Sequence, residues 1–360
     1  MVGKSIEKAR DADGKRRVQK RERRFFDMLP ESKMTFGQLA EWFLALKGVK
    51  KLKTYGRVRG CIGNFNNVFG DQIVGEIKPV DLEDYQHGRE EQGKSPATID
   101  MELTIVKTMI TKAFDNDRVG GRSLRPFRKI KRKLKKGSNA RDRTVTLKEY
   151  LLLTTGKHTV KYKIRSKTRE EEKPNAPAHL KPILTVAFHT GMRRGEILGL
   201  KWSHIDKDKG FIRLPAGITK EGKAKSIPLN KYAREALERL PRALHHDHVF
   251  LYQGQPIKRL PKSFSSACEN AGIPYGRKVE NGVTFHDLRA TFDTNLDRAG
   301  VSESCRKVIL GHTLAGMDRH YLRLSEDDLR EAIDKYTAWF DDQLQNVLKT
   351  LSKSETEANL

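Results

Sequence analysis

The sequence contains little cysteine and no long apolar run. Its three cysteines, Cys61, Cys268 and Cys305, lie far apart in the chain, so they suit neither a disulfide framework nor a cluster of metal ligands. We therefore expect a reducing, cytoplasmic setting. A stretch of about 20 apolar residues and a signal-like start are both missing, which argues against a membrane protein.

Metal-binding histidine patterns are missing as well. Two histidines four positions apart would place two zinc ligands on one face of a helix, and the sequence has no such pair. The densest group, formed by His245, His246 and His248, suits a surface loop. The sequence predicts no metal and no other cofactor.

Acidic residues are heavily outnumbered. Lys and Arg number 71 against 46 Asp and Glu, so the 360-residue chain has a formal net charge of +25. A chain with this charge repels itself unless a polyanion is bound, and double-stranded DNA is the leading candidate. The alternative is a basic surface that maintains solubility. The length suits two domains with extensions.

The first third of the chain divides into an arm and a helical region. Residues 1–33 mix charges without apolar periodicity and predict a basic N-terminal arm that is flexible or ordered only on DNA. Residues 34–118 predict a helical domain, because apolar residues recur there every three to four positions and Thr35 and Ser95 suit helix starts. We expect three stripes to form its core: Phe36, Leu39, Ala40, Phe43 and Leu44; Cys61, Phe65, Val68 and Phe69; and Ile99, Leu103, Val106, Met109, Ile110 and Phe114.

Residues 119–143 form a dense basic run. They include eleven Lys or Arg residues and a single acid, Asp142. Because such a run cannot fold around a core of its own, it predicts an interdomain linker that follows a DNA backbone, although like-charged runs are usually only solvated. The candidate DNA contacts are Arg128, Lys129, Lys131, Arg132, Lys133, Lys135 and Lys136.

A second folded region covers residues 144–345 and is followed by a tail, 346–360. Most of its apolar pattern is helical, but residues 210–214 and 224–229 resemble two strands that a turn at Glu221 and Gly222 could join. Residues 249–252 suit a third strand. Residues 161–174 are charged and aperiodic and predict an exposed insertion. The fold class is therefore mainly α with a small antiparallel β-sheet, in two domains.

Five short signals in this second region combine residue types that suit one reaction. Their order along the chain is TGMRRGE (190–196), TKEGK (219–223), FHDLR (285–289), LGH (310–312) and Tyr321. The FHDLR motif sets His286 and Arg289 on one face of one helix. Glu196, three residues after Arg193, can orient its neighbours.

The reaction is the breakage and resealing of a DNA strand without ATP. Such a reaction must keep the energy of the phosphodiester in a covalent link to the protein, and a tyrosine hydroxyl is a fitting nucleophile. Arginines fork onto the phosphate oxygens and stay charged, so they stabilise the transition state. A lysine or histidine can protonate the departing 5′ oxygen, and a second histidine can assist deprotonation of the tyrosine.

The ordered set closely resembles the tyrosine recombinases, or phage integrases, and the resemblance spans residues 34–345. It implies a two-domain DNA clamp, with a SAM-like helical core-binding domain and a tyrosine-recombinase catalytic domain. It implies that Tyr321 is the nucleophile that forms a 3′-phosphotyrosine and that Glu196 is a supporting acid. The other catalytic residues by this resemblance are the phosphate-binding Arg193, the general acid Lys220, His286, Arg289 and His312.

The resemblance also implies a biological role and an assembly. We expect a site-specific recombinase for integration or excision of a phage or other mobile element. Four protomers would act on two DNA sites, with DNA-bending or directionality factors as candidate partners. The arm is shorter than the full arm-binding domain of some phage integrases, which argues against recognition of a second, distant DNA site.

Several alternatives remain open at the level of sequence. Lys223 and Lys225 share the predicted hairpin with Lys220, and any of the three could reach the leaving oxygen. Tyr336 competes with Tyr321, although it falls on a core-like stripe. The rival functions are a type IB topoisomerase-like enzyme, which relaxes DNA with the same chemistry, and a DNA-binding regulator that has lost the reaction.

Overall fold

The computed structural model describes residues 33–135, 137–138, 141–164, 167–312 and 324–358, together with residues 10, 13 and 14. The chain divides into two compact units, residues 1–141 and 142–360, which we call the helical unit and the second unit. Within the described residues, no helix is both long and apolar enough to cross a membrane.

The helical unit consists of helices joined by short turns. Its helices are α1 (Phe36–Ala45), α2 (Lys47–Lys50), α3 (Tyr55–Phe69), α4 (Pro79–Glu91), α5 (Pro96–Phe114) and α6 (Gly121–Lys129). The predicted helix starts are confirmed. The Thr35 hydroxyl accepts the backbone N–H of Gln38, and the Ser95 hydroxyl accepts that of Thr98, so each side chain caps the start of its helix.

The core of the helical unit is formed by the apolar stripes of α1, α3 and α5. Phe36, Phe65 and Ile99 are fully buried, as their spacing predicts. Val68 is an exception, because 56% of it is exposed. Phe65 and Phe69 both face the core. Because successive residues of a helix point about 100° apart, Val68, directly before Phe69, points away from the core.

The basic run 119–143 contains a helix that the sequence did not predict. Leu124 and Phe127 of α6 are buried in the core of the helical unit. Farther along, the backbone N–H groups of Lys133 and Leu134 donate to the two carboxylate oxygens of Asp100, at 2.9 and 3.0 Å. Much of the run is thus attached to the helical unit, and the division of the chain into arm, domains, linker and tail stays a prediction.

The second unit is mainly helical with small antiparallel sheets, which confirms the predicted fold class. Its helices are α7 (Leu147–Thr154), α8 (Lys181–Thr190), α9 (Arg194–Leu198), α10 (Lys231–Glu238), α11 (Pro261–Asn270), α12 (Asp287–Arg298), α13 (Glu303–Leu310) and α14 (Glu326–Ala358). Its strands are β1 (Lys157–Ile164), β2 (Lys167–Pro174), β3 (Ile205–Asp206), β4 (Phe211–Leu214), β5 (Lys225–Pro228), β6 (Leu251–Tyr252) and β7 (Gln255–Pro256).

The predicted hairpin is confirmed, but the expected third strand is not part of its sheet. Strands β4 and β5 pair antiparallel, with Leu214 opposite Lys225. The third strand of that sheet is β3, which comes earlier in the chain and pairs with β4. The segment that was expected to supply it contains β6, which pairs with β7 in a separate sheet.

The charged segment 161–174, which was predicted to be an exposed insertion, belongs to the hairpin of β1 and β2. Its side chains are largely exposed, so no apolar alternation marks the strands. Opposite charges face each other across the hairpin instead, with Lys157 Nζ 3.1 Å from Glu172 and Lys161 Nζ 2.6 Å from Glu170. Such cross-strand ion pairs favour the pairing of two strands even when neither face of the hairpin is buried.

Candidate active site

A tight turn after helix α8 positions Arg193. The helix ends at Gly191, whose φ of 58° is left-handed. A Cβ at this position would lie 2.5 Å from Phe292 Cδ1 and 2.7 Å from Leu310 Cδ2, so a side chain has no room there. The chain then turns directly into α9, with Arg193 as the residue before the helix.

Two glutamates hold the Arg193 guanidinium. Buried Glu196 accepts the backbone N–H of Arg193 at 3.0 Å and its Nη1 at 3.0 Å. Glu221, at the tip of the β4–β5 hairpin, accepts Nη1 at 2.9 Å and Nη2 at 2.5 Å. Burial alone would raise the pKa of Glu196, but Lys225 and the bonds from Arg193 outweigh burial and lower it, so Glu196 is ionised.

Arg289 joins two turns of the site through its buried guanidinium. Its Nη1 donates to the carbonyl of Gly191 at 2.7 Å, and its Nη2 donates to the carbonyl of Leu310 at 2.6 Å. Burial and the nearby charge of Arg193 lower the pKa of Arg289 to about 10, which leaves it charged at neutral pH.

His312 follows a second left-handed glycine, Gly311, with a φ of 72° at the end of α13. Its backbone N–H donates to the carbonyl of Lys307 at 2.7 Å, which fixes the turn. Arg289 Nη2 lies 3.0 Å from His312 Nε2, and since arginine can only donate, that nitrogen is the acceptor. Burial and Arg289 lower the pKa of His312, which favours the neutral ring that this contact requires.

A cavity of about 420 Å³ brings several predicted site residues together. Arg193, Lys220, His286 and Arg289 all contribute to its wall. His286 directly precedes α12, and burial together with Arg289 lowers its pKa. Four residues from three separate motifs thus face one space.

The lysines of the hairpin differ in their surroundings. Lys220 and Lys223 are exposed, whereas the Lys225 side chain is only 4% exposed. Lys225 Nζ lies 3.5 Å from Glu196 Oε2. Burial, partly offset by Glu196, lowers the pKa of Lys225 to about 8. Lys220 lines the cavity, whereas Lys225 contacts the carboxylate of Glu196.

The site has more positive than negative charge. Among the described residues, the cations that line or touch it are Arg193, Arg194, Lys220, Lys225 and Arg289, and the carboxylates that touch them are Glu196 and Glu221. Like charges held close together are stable when they are compensated, so this excess of cations indicates the place of an anion.

Tyr321 lies outside the described residues, and so does Lys136 of the basic run. The described residues nearest to Tyr321 on either side are His312 and Leu324, and both line a cavity of about 410 Å³ that Lys225 also lines. The competing Tyr336 is fully buried, and its hydroxyl lies 3.0 Å from His189 Nδ1. Burial raises its pKa, so Tyr336 is a poor nucleophile.

The same region of the chain matches a known family. The sequence model described as the phage integrase family matches residues 163–327, which contain all the motifs named above. Over these residues the chain is similar to the phage integrase family. The match includes the β4–β5 hairpin, both glycine turns and Tyr321, so the family resemblance found in the motifs is confirmed.

The curated proteins that this chain resembles include a tyrosine recombinase and a shufflon-specific DNA recombinase. Tyrosine recombinase XerA of Pyrococcus horikoshii is 29% identical over 155 residues, which cover 43% of this chain and 54% of XerA. The shufflon-specific DNA recombinase of Escherichia coli is 31% identical over 166 residues, covering 44% of this chain and 40% of that protein. This chain spans about half the length of these relatives.

Solved structures of integrases share the fold of this chain. A lambda integrase dimer bound to a COC′ core site superposes with a TM-score of 0.63 at 17% identity, covering 82% of this chain and 80% of the integrase chain. The Tn1549 transposon integrase in complex with circular intermediate DNA gives a TM-score of 0.57 at 19% identity, covering 83% and 98%. The architecture is therefore that of the integrases.

Glu221 is a residue of the candidate site to which the sequence analysis gave no role. It touches Arg193 from the hairpin tip, between Lys220 and Gly222. Its neighbour Gly222 has a left-handed φ of 67°, so the tip is a sharp turn. The sequence showed only that a carboxylate lies next to the expected general acid, Lys220. The contact between Glu221 and Arg193 depends on tertiary structure, so the sequence could not predict it.

Proposed function

We propose that this chain is a site-specific DNA recombinase that cleaves and rejoins DNA strands through a 3′-phosphotyrosine. The observation that carries the proposal is the excess of cations around Arg193 and Arg289. A phosphodiester supplies one negative charge, and its five-coordinate transition state supplies a second. Fixed guanidiniums around that point stabilise the transition state more than the ground state.

The proposed step transfers a phosphoryl group from DNA to the protein. The phenol oxygen of Tyr321 bonds to phosphorus and loses its proton to a neighbouring histidine, while the bond from phosphorus to the 5′ oxygen breaks. Lys220 gives that oxygen a proton. Because the phosphotyrosine retains the energy of the broken bond, a 5′ hydroxyl from another strand can reverse the step without ATP.

The position of Leu324 supports Tyr321 as the nucleophile. Leu324 lines a cavity together with His312, which contacts Arg289. Leu324 is only three positions after Tyr321 in the sequence. The interval of nine residues from His312 to Tyr321 also matches the family pattern.

The basic run supports DNA binding by the helical unit. Arg128, Lys129, Lys131, Arg132 and Lys135 are exposed. Their backbone is fixed to the unit, since α6 is packed in its core and the carbonyl of Lys131 accepts Gln86 Nε2 at 3.0 Å. Lys133 is half-buried and pairs with Glu90. A fixed row of exposed cations suits a phosphate backbone.

The assembly is part of the same proposal. We infer that four protomers act on two DNA sites, and the support is a neighbour of the same fold, the lambda integrase tetramer bound to a Holliday junction. A role in integration or excision of a mobile element is consistent with the integrases among the structural neighbours. DNA-bending or directionality factors and a cytoplasmic location remain predictions from the sequence.

A nicked suicide substrate tests the chemistry. Cleavage close to the nick releases a short strand, so the covalent complex cannot reseal and can be counted on a denaturing gel. We expect the wild-type chain to form this complex and Tyr321→Phe to bind the DNA with unchanged affinity but form none. Tyr252→Phe is the matched control, because Tyr252 is 53% exposed and does not line either cavity of the site.

Two outcomes would contradict the proposal. Covalent capture by Tyr321→Phe would move the nucleophile to another residue, and no capture by the wild-type chain on any cognate site would favour the DNA-binding regulator. Relaxation of plasmids without a defined site would instead support the topoisomerase-like alternative.

A further inference from the structure

Lys225 is buried although it is a lysine at the edge of a hairpin. It begins strand β5, and it is the only lysine among the described residues that belongs to the buried set, at 7% exposure. Lysine is almost never fully buried unless its ammonium is paired. The burial of Lys225 therefore needs an explanation, and the proposed role of Lys220 as general acid does not provide one.

The Lys225 ammonium contacts the carboxylate that holds Arg193. Its Nζ lies 3.5 Å from Glu196 Oε2, the same oxygen that accepts the backbone N–H of Arg193. Glu196 Oε1 accepts Arg193 Nη1. A buried carboxylate shared between two cations is fixed from both sides, so loss of Lys225 would leave Glu196 with its direction set by Arg193 alone.

The stem of Lys225 contacts the second turn of the site. A Cβ added to Gly311 would lie 3.0 Å from Lys225 Cδ and 3.3 Å from its Cε, so the aliphatic stem covers the turn directly before His312. One side chain thus touches the supports of both Arg193 and His312.

We propose that Lys225 is a positioning residue for the reaction, acting through Glu196 on Arg193. The inference rests on the proposed function, because the aligned group is the guanidinium that would bind the scissile phosphate. A misplacement of about 1 Å at such a group costs on the order of 100-fold in rate, whereas overall DNA binding depends on many other contacts. Lys225 should therefore affect the cleavage step much more than the affinity.

The test is a double-mutant cycle read as single-turnover cleavage of the nicked suicide substrate, with DNA affinity measured in parallel. We expect Lys225→Met to slow cleavage about 10- to 100-fold while the Kd changes by less than about threefold. In a Glu196→Gln background, the same substitution should slow cleavage by less than about threefold, because the carboxylate through which it acts has been neutralised. Lys231→Met, which removes an exposed lysine 2.6 Å from Asp341, is the matched control.

Three results would overturn the inference. They are a Lys225→Met cleavage rate within about threefold of wild type, an equal loss in both backgrounds, and a loss that appears wholly in the Kd. If Lys225→Met does not fold because buried Glu196 has lost one of its two cations, the comparison of Glu196→Gln with the double variant still decides, since a large loss of rate between these two variants would show that Lys225 does not act through the carboxylate. Wild-type capture of the substrate is measured first, so failure of the proposed function is seen separately.

Discussion

Among the described residues, each unit buries one glutamate against an arginine, and the two pairs differ in their surroundings. In the helical unit, Glu102 accepts four hydrogen bonds, two from Arg89 and one each from Asn64 and Tyr85. The remaining Nη1 of Arg89 donates to Gln92 at 2.5 Å. The charges of the pair cancel and every group has a partner, so this network stabilises the fold and offers nothing to a ligand.

In the second unit, the corresponding pair lies among further cations. Arg193 and Glu196 are joined by Arg289 and Lys225, and the pKa values of both of these are lowered by burial and by like charges nearby. The Arg193 side chain also lines an open cavity and is 21% exposed. From this comparison we expect an arginine–glutamate pair to belong to a reaction site only where the surrounding charges do not balance.

Removing the arginines gives the largest expected difference between the two networks. Arg193→Ala and Arg289→Ala should each slow covalent capture about 100- to 1,000-fold, because each removes a donor that stabilises the transition state. Arg89→Ala should instead lower the free energy of unfolding by about 3 to 5 kcal/mol, since it leaves Glu102 buried without its cation. Single-turnover cleavage and denaturant unfolding of all three variants measure both effects.

These variants can also break the comparison. A cleavage rate within a few fold of wild type for Arg193→Ala or Arg289→Ala would remove that residue from the site. A large rate loss for folded Arg89→Ala would mean that the helical network takes part in the reaction.

Acidic pH should lower the stability of the second unit more than that of the helical unit, and this difference should be smaller than the previous one. His189 is fully buried between Tyr336 and Asn230, and burial lowers its pKa from 6.5 to about 3. The unfolded chain therefore binds the proton more readily. The stability that neutral His189 contributes is complete above pH 6.5 and is lost as the pH falls from 6.5 toward 3.

Hydrogen exchange of the whole chain as a function of pH checks this prediction. The helical unit has one histidine, the exposed His87, so its peptides should keep their protection in mildly acidic solution while those of the second unit lose it. His189→Gln should flatten the loss in the second unit. Equal acid sensitivity of the two units would show that His189 does not control it.

Glu221 should have the smallest effect, and one of opposite sign. In the proposed function a DNA phosphate replaces the Glu221 carboxylate on Arg193, and a salt bridge that solvent can reach, as in this partly exposed pair, contributes about 0.2 to 1 kcal/mol. Glu221→Gln should therefore tighten active-site DNA binding by about two- to fivefold. Glu303→Gln, which removes an exposed glutamate paired with Lys307, is the control. Weaker binding by Glu221→Gln would show that Glu221 aids the DNA contact.

The sequence predicted the helical stripes and the order of the motifs because both depend on local spacing. It could not choose among Lys220, Lys223 and Lys225, since burial of a lysine depends on the face of the strand on which it lies. The alternation along β5 held the signal: Lys225 and Ile227 are two positions apart and both buried, whereas Ser226 between them is less so.

The sequence failed where structure is stabilised by contacts between distant segments. The hairpin of β1 and β2 depends on cross-strand charge pairs such as Lys161 with Glu170. In the linear sequence these charged residues resemble a solvated insertion. The helix α6 was overlooked because its exposed basic residues dominate the run, although Leu124 and Phe127 are three positions apart and face one core. Tyr321 and its role remain a prediction.

The single guanidinium of Arg289 fastens the carbonyls of Gly191 and Leu310, so the two turns cannot drift apart independently. The positions of the two turns therefore depend on each other, and we expect both turns to lose their native geometry in one cooperative step. On slow heating, the ability to cut DNA would then end abruptly, at the same temperature at which the amides around both glycines begin to exchange.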